Sequence, residues 1–142
     1  MNLTKYVKIL DIEYYDGPML SLFKDEDEGS FYIYKWLDIE KNGHKWLIFK
    51  TNHDNLYDYI YQNIDEKTLI KKAVNGQYAT VVIDPNLIYK NIKRFTTASL
   101  PNSFLPNNGC FFTQSDCPNY ETLIVFLENM PLGALQLMEE EA

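Results

Sequence analysis

Two cysteines and two histidines are the side chains here that most readily bind a metal or attack a substrate. Structural zinc sites usually place paired ligands two to four residues apart. Six residues separate Cys110 from Cys117 and eight separate His44 from His53, so the spacing does not indicate zinc. A cysteine nucleophile needs a base and an orienting group, and no local signature of one surrounds either cysteine. We predict no catalytic residue, no metal and no cofactor; an enzyme using Cys110 or His44 is the least favoured function.

The acidic run Asp25-Glu26-Asp27-Glu28-Gly29 resembles the start of a calcium loop. Such a loop needs Gly at its sixth position and Glu at its twelfth. Counted from Asp25, these positions hold Ser30 and Trp36. The run therefore predicts a solvated hairpin turn, whose negative charge can guide the choice of a partner.

Basic residues form two groups between positions 67 and 94: Lys67, Lys71 and Lys72, then Lys90, Lys93 and Arg94. Residues 85–115 contain no acid. Clustered lysines can neutralise phosphates and release counterions, so binding of nucleic acid or a nucleotide phosphate by segment 67–94 is the alternative function. The single arginine and the net charge of −7 argue against it, because arginine is the usual residue for bidentate recognition of phosphates and bases.

Aromatic residues alternate along a predicted strand, 30–38. Period-two alternation places Phe31, Ile33 and Leu37 on one face, and Tyr32, Tyr34 and Trp36 on the other. Either a helix covers the aromatic trio or the trio is exposed as a binding surface. Lys35 lies on the face assigned to the core, which conflicts with this assignment.

The N-terminal third predicts an antiparallel meander of four strands at 6–15, 19–24, 30–38 and 44–50. β-Branched and aromatic residues dominate these runs. Asp16-Gly17-Pro18 and Asn42-Gly43 are turn signals, and Asn-Gly between two strand-like runs is the strongest short hairpin signal.

Two short helices are predicted next. Leu56, Tyr57, Ile60, Tyr61 and Ile64 repeat at helical spacing after a capping residue at Thr51 or Asn52, and Asp65 opens a second helix. Segment 78–83 returns to strand, and 86–95 is ambiguous between helix and strand. Residues 96–120 predict an ordered loop packed on the sheet, in which 110–113 can form a strand. Segment 121–128 is a further strand candidate, and the apolar tail after Pro131 predicts a docking helix before the acids 139–141.

Together these elements predict an α+β fold: an antiparallel β-meander of about five to six strands, with two short helices inserted after strand four. A length of 142 residues favours a single domain, residues 1–142. The start of the chain lacks the apolar core of a signal peptide. The longest uncharged stretch is broken by Pro101, Pro106 and Gly109, so no membrane association is expected and the location is expected to be cytoplasmic.

Glu13-Tyr14-Tyr15-Asp16-Gly17-Pro18-Met19-Leu20, followed by an acidic turn and an aromatic strand, resembles a family of small bacterial proteins classed as a domain of unknown function. The later Leu100-Pro101 and Leu105-Pro106 with Gly109 are similar to that family's L-P…L-P…G segment. The resemblance covers about half the chain and implies turns and strands, without implying any catalytic residue.

These observations favour a non-catalytic module that binds another protein, such as an accessory, immunity or antitoxin-like bacterial subunit. The predicted contact surface combines the acidic turn with the aromatic strand: Asp25, Glu26, Asp27, Glu28, Tyr32, Tyr34 and Trp36. Large aromatic residues supply much of the energy of protein interfaces.

Overall fold

The fold is built on one antiparallel sheet of six strands in the order β1-β2-β3-β4-β5-β6. The computed structural model describes residues 1–131. The elements are β1 (Tyr6–Tyr14), β2 (Pro18–Asp25), β3 (Phe31–Glu40), β4 (Gly43–Thr51), α1 (His53–Ile60), α2 (Glu66–Lys71), β5 (Gln77–Ile83), β6 (Tyr89–Thr96) and α3 (Tyr120–Asn129). Each strand pairs with the next along the chain, which confirms the predicted α+β meander with two short helices after the fourth strand. The docking helix and acidic tail predicted after Pro131 lie outside the described residues.

The β3–β4 hairpin forms where the sequence predicts one, but its turn lies one residue earlier. Glu40 pairs with Gly43, so Lys41 and Asn42 are the turn residues. Gly43 has a φ of 151°, and a Cβ there would overlap the carbonyl of Ile83 on the neighbouring β5. Both the close approach of β5 and the positive φ therefore require glycine at this position.

The two short helices begin at the capping residues that the sequence indicates. The side chain of Asn52 accepts a hydrogen bond from the backbone N–H of Asn55, at 2.9 Å. The side chain of Asp65 accepts one from the backbone N–H of Thr68, also at 2.9 Å. Each cap satisfies a backbone donor that the first helical turn leaves unpaired.

The helices and the segment 97–119 cover one face of the sheet. The core on this covered face is apolar and comprises Leu10, Ile12, Leu20, Leu22, Phe31, Ile33, Leu47, Phe49, Leu56, Tyr59, Ile60, Leu69, Ile70, Tyr78, Phe112, Cys117, Leu123, Leu127 and Met130. The opposite face, here the open face, has a smaller cluster of Leu3, Tyr6, Tyr32, Tyr34, Ile48, Ala79 and Val81. Within residues 1–131, none of the three α-helices contributes a buried side chain to that second cluster.

The strand predicted at 121–128 is wrong, because these residues form α3. Leu123 and Leu127, four residues apart, are buried, whereas Val125 between them is 57% exposed. Burial at i and i+4 is the helical pattern. A short apolar run of this kind does not by itself distinguish a strand from a helix.

Of the ambiguous segment 86–95, residues 89–95 belong to the edge strand β6 and 86–88 to the turn before it. The ordered loop predicted at 96–120 is found at 97–119, and it contains two short 3₁₀ turns. Residues 110–113 are not a strand. The loop is fixed by the Glu66 N–H, which donates to the Cys110 carbonyl at 2.8 Å, and by the Gln62 amide, which donates to the Phe112 carbonyl at 2.7 Å. None of the helices in residues 1–131 is long and apolar enough to cross a membrane.

Candidate functional site

The open face has two ends of different character. The turns 15–17, 41–42 and 84–88 connect β1 to β2, β3 to β4 and β5 to β6, and because the sheet is a meander all three lie at one end, here the hairpin end. The acidic turn between β2 and β3 lies at the other end. Tyr32 lies at the start of β3 near the acidic turn, and a four-residue separation places Trp36 about 13 Å away, in the middle of the strand.

Several large hydrophobic side chains are exposed at the hairpin end. Five of the eleven that are exposed in residues 1–131 lie there: Tyr14, Tyr15, Ile39, Leu87 and Ile88. Tyr15 is 81% exposed, Leu87 77% and Ile39 67%. A cluster of exposed apolar residues is a typical mark of an interaction site on a protein surface.

Two cavities open among these residues. The larger, of about 450 Å³, is lined by Tyr15, Asp16, Gly17, Pro18, Met19, Trp36, Ile39, His44 and Trp46. The smaller, of about 250 Å³, is lined by Lys8, Pro18, Ser21, Phe23, Tyr34, His44, Trp46, Ile83, Asp84 and Leu87. Pro18, His44 and Trp46 line both, so the two cavities form one groove across the hairpin end.

A hydrogen bond fixes the aromatic wall of the groove. Trp36 Nε1 donates to His44 Nδ1 at 3.0 Å. An indole N–H can only donate, so Nδ1 of His44 is the acceptor of this bond. The bond holds the Trp36 ring in one orientation beside Trp46, its partner on β4.

The β5–β6 turn holds an exposed leucine in an unfavourable backbone conformation. Leu87 has a φ of 63°, in a region that costs a non-glycine residue roughly 1–2 kcal/mol. The carboxylate of Asp84 accepts the backbone N–H groups of Asn86 and Ile88, at 2.9 and 3.0 Å. The Ile88 bond is the main cause that lowers the pKa of Asp84, and Lys90 lowers it further. An exposed hydrophobic residue kept in such a conformation is typical of a functional position.

Two of the three aromatic residues predicted as contact residues, Tyr32 and Tyr34, are buried, which decides between the covered and the exposed arrangement that the alternation in β3 left open. Tyr32 stacks on Tyr6 with ring centroids 4.1 Å apart, and Tyr34 stacks on Phe23 at 3.7 Å. Burial is the main cause that raises the pKa of both tyrosines. Neighbouring strands and Leu3, in a 3₁₀ turn near the N-terminus, cover Tyr32 and Tyr34, and no α-helix of residues 1–131 takes part. Trp36 remains partly exposed and lines the groove.

The acidic turn is a hairpin turn, as predicted. Asp25 is buried, and its side chain accepts the Asp27 N–H at 2.9 Å. Asp27 pairs with Lys5 at 2.5 Å. Glu26 and Glu28 are therefore the acids of this turn that project without a described ion-pair partner, and they lie at the end of the sheet away from the groove.

Lys35 does lie on the core-facing side of β3, where a lysine was unexpected, because it faces the helices and forms an ion pair with a helix residue. Its Nζ lies 2.8 Å from Glu66 Oε1 on α2. Beside this pair the Tyr59 hydroxyl donates to Glu13, and burial is the main cause that raises the pKa of Glu13. The covered face thus contains a polar cluster of Glu13, Lys35, Tyr59 and Glu66, whose members are joined by a hydrogen bond and an ion pair.

The cysteines and histidines are dispersed. Cys110 is exposed and Cys117 is buried, and burial is the main cause that raises the pKa of the Cys117 thiol. His44 lines the groove, whereas His53 begins α1 and contacts Asp54 at 2.9 Å. Across residues 1–131 there is no group of three or more His, Cys, Asp or Glu residues suited to hold a metal ion.

The basic residues of segment 67–94 are divided between two elements. Lys67 and Lys71 lie on α2 with Lys72 at its end, and Lys90, Lys93 and Arg94 lie on β6. Lys90 pairs with Asp84 at 3.2 Å, and Arg94 Nη2 donates to the Met1 carbonyl at 3.4 Å. Binding of nucleic acid by this segment stays a prediction, and a gel shift at low salt tests it.

Most of the groove was missed from the sequence: Tyr15, Pro18, Ile39, His44, Trp46 and Leu87 were not predicted as contact residues. The available signal was the set of turn motifs, Tyr15-Asp16-Gly17-Pro18, Asn42-Gly43 and Asp84-Pro85. In a meander, alternate turns share one end of the sheet, so the apolar residues that flank these turns are neighbours.

Comparison with known proteins found no match to a protein family, to a curated protein or to a solved structure.

Proposed function

We propose that this protein is a protein-binding module whose contact surface is the groove at the hairpin end of the open face. The exposure of Tyr15, Ile39 and Leu87 around that groove supports the proposal. Tryptophan and tyrosine are enriched among residues that dominate binding energy, and this groove has Trp36 and Trp46 in its wall and Tyr15 at its rim.

The groove also has the rigidity that tight binding needs. Its wall stands on two central strands, and the Trp36–His44 hydrogen bond fixes one indole ring. A surface that is ordered before binding loses less conformational entropy when a partner docks. The proposal therefore places the energetic centre of the contact on β3 and β4, and not on the acidic turn.

The test is affinity purification from the host with mass spectrometry, using the tagged full chain and two matched variants. Ile39→Ser removes an exposed β-branched residue at the groove, and Val125→Ser removes one on α3. We expect Ile39→Ser to reduce recovery of a specific partner by about tenfold or more, as loss of a hot-spot residue does. Val125→Ser should recover the partner as the wild type does.

The same partner must then bind the purified wild-type protein directly, measured by calorimetry. Equal partner affinity for the wild type and both variants would refute the groove as the contact surface. Glu26→Gln combined with Glu28→Gln tests the acidic turn separately: loss of binding in this variant, with Ile39→Ser unaffected, would move the contact to the other end of the sheet.

A further inference from the structure

We propose that the larger cavity of the groove receives the guanidinium group of an arginine from the partner protein. The inference rests on the proposed function and adds the chemistry of the group that is bound. Three features of the cavity support this inference: its aromatic rings, a carboxylate residue in its lining, and the charges around it.

Three aromatic side chains line the larger cavity: Tyr15, Trp36 and Trp46. Aromatic faces attract cations, and tryptophan does so most strongly. The cavity volume of about 450 Å³ is ample for a planar guanidinium group with part of its aliphatic stem. Because Trp36 Nε1 is already bonded to His44, that indole offers its ring and not its N–H to a ligand.

A residue with a carboxylate side chain lines the same cavity. Asp16, in the β1–β2 turn, is exposed and lines the cavity beside Tyr15. Within residues 1–131 it has no ion-pair partner. A guanidinium group that stacks on an indole still has in-plane N–H donors free for such a carboxylate.

The charges around the groove leave an excess of acid. Lys8 is paired with Asp11 at 2.6 Å and Lys90 with Asp84 at 3.2 Å, so both lysines are locally neutralised. In contrast, among the described residues that line the larger cavity, Asp16 is the one acid and none is a lysine or an arginine. The rim therefore favours a cation over an anion or a neutral side chain.

Arginine fits these features better than the other side chains that fill aromatic cavities. An aliphatic or aromatic side chain would leave Asp16 without a partner. Lysine carries a compact, strongly hydrated charge, whereas the guanidinium group is planar, weakly hydrated and suited to stacking. One arginine uses both the aromatic wall and the carboxylate.

The experiment titrates the full chain with acetyl-Gly-Gly-Arg-Gly-Gly-amide and follows the indole Nε1–H resonances of Trp36 and Trp46 by NMR. The same peptide with citrulline in place of arginine has nearly the same shape without the charge. We expect saturable shifts of both indole resonances with the arginine peptide, and at least about fivefold weaker binding of the citrulline peptide. Added salt should weaken the arginine complex.

Asp16→Asn and Glu28→Gln form the matched pair of variants, because each removes one exposed carboxylate charge. Asp16→Asn should weaken binding of the arginine peptide by about threefold or more, and Glu28→Gln should leave it unchanged. Equal binding of the two peptides, or equal affinity in both variants, would overturn the inference. If the groove binds its partner but not the arginine peptide, only this inference fails; if the peptide binds but Ile39→Ser leaves partner capture unchanged, the proposed function fails instead.

Discussion

The two faces of the sheet differ in how their side chains are satisfied: polar groups on the covered face have partners, whereas apolar groups at one end of the open face are exposed to water. On the covered face the polar side chains are paired with one another, as Lys35 is with Glu66 and Tyr59 with Glu13. The Tyr78 hydroxyl likewise donates to the Ile70 carbonyl at 2.5 Å. Buried polar groups need such partners because an unpaired one costs about 1–3 kcal/mol. Thr51, opposite Phe31 in the β3–β4 pairing, is an exception, since its buried Oγ1 has no hydrogen-bond partner among the described residues.

At the hairpin end of the open face the apolar groups have no such cover. Tyr15, Ile39 and Leu87 are each more than half exposed, which leaves apolar surface in water at about 25 cal/mol per Å². The covered face therefore accounts for stability, whereas recognition by the hairpin end is what we propose.

The largest expected effect comes from two isoleucines on the same strand. Ile33 is fully buried on the covered face, and Ile39 is 67% exposed at the groove. Ile33→Ala should lower the free energy of unfolding by about 3 kcal/mol, because it leaves a cavity in the core. Ile39→Ala should change it by less than about 0.5 kcal/mol while weakening partner binding. Urea denaturation and calorimetric titration measure the two effects, and a large stability loss in Ile39→Ala would contradict the division of roles.

The next effect concerns the ion pair under α2. Lys35 and Glu66 have side chains only 17% and 10% exposed, so removing one partner leaves a nearly buried charge alone. Lys35→Ala should cost about 2 kcal/mol, less than for a fully buried pair because some solvent reaches the site. Lys35→Met combined with Glu66→Leu, which removes both charges, should restore much of the loss. Thermal unfolding measures both variants, and a double variant as unstable as the single one would refute a charge-pairing role.

The fold was largely predictable because its elements rely on local signals. The alternation in β3, the caps at Asn52 and Asp65 and the turn motifs all act within a few residues, where sequence patterns are strongest. The strand wrongly predicted at 121–128 depends on a distant contact, since Leu123 and Leu127 become a helical stripe only when the covered face is there to receive them. The same alternation placed Lys35 correctly, but its partner Glu66 is far away in the sequence.

The candidate site was only partly predictable. Trp36 was predicted as a contact residue from the alternation in β3, but the burial of Tyr32 and Tyr34 depends on Tyr6 and Phe23 from neighbouring strands. The groove is lined by residues in or beside three turns. Which turns lie side by side depends on the order of the strands in the sheet, and local sequence patterns do not give that order.

A smaller effect tests the link between α2 and the loop over the covered face. Asp65 Oδ1 accepts the Thr68 N–H and Oδ2 accepts the Gly109 N–H, at 2.9 and 2.8 Å. The pKa of Asp65 is lowered from 3.8 to about 2. A hydrogen bond from the Thr68 side chain is the largest cause, followed by these two backbone bonds. Asp65→Ala should cost about 1 kcal/mol through loss of the cap without weakening partner binding.

The pH dependence of that effect has a definite sign. Because the folded-state pKa is below the ordinary value, ionised Asp65 stabilises the fold above pH 3.8, and this contribution is lost as the pH falls towards 2. The stability difference between the wild type and Asp65→Ala should therefore shrink between pH 4 and pH 2. Chemical denaturation across that range measures it, with Asp54→Ala, in the first turn of α1, as the control. A difference that grows with acidity would rule out the ionised cap.

The smallest effect separates stability from recognition at a single residue. Leu87 is exposed and has a φ of 63°, a conformation that asparagine tolerates better than leucine. Leu87→Asn should therefore raise the free energy of unfolding by about 0.5 kcal/mol and at the same time weaken partner binding, because it removes apolar surface from the groove. Val7→Asn, which replaces an exposed residue of β1 with ordinary strand geometry, should show no such gain. If Leu87→Asn is both more stable and equally able to bind, the strained leucine is not part of the contact, and the recognition surface contracts to the cavity between Tyr15 and Trp46.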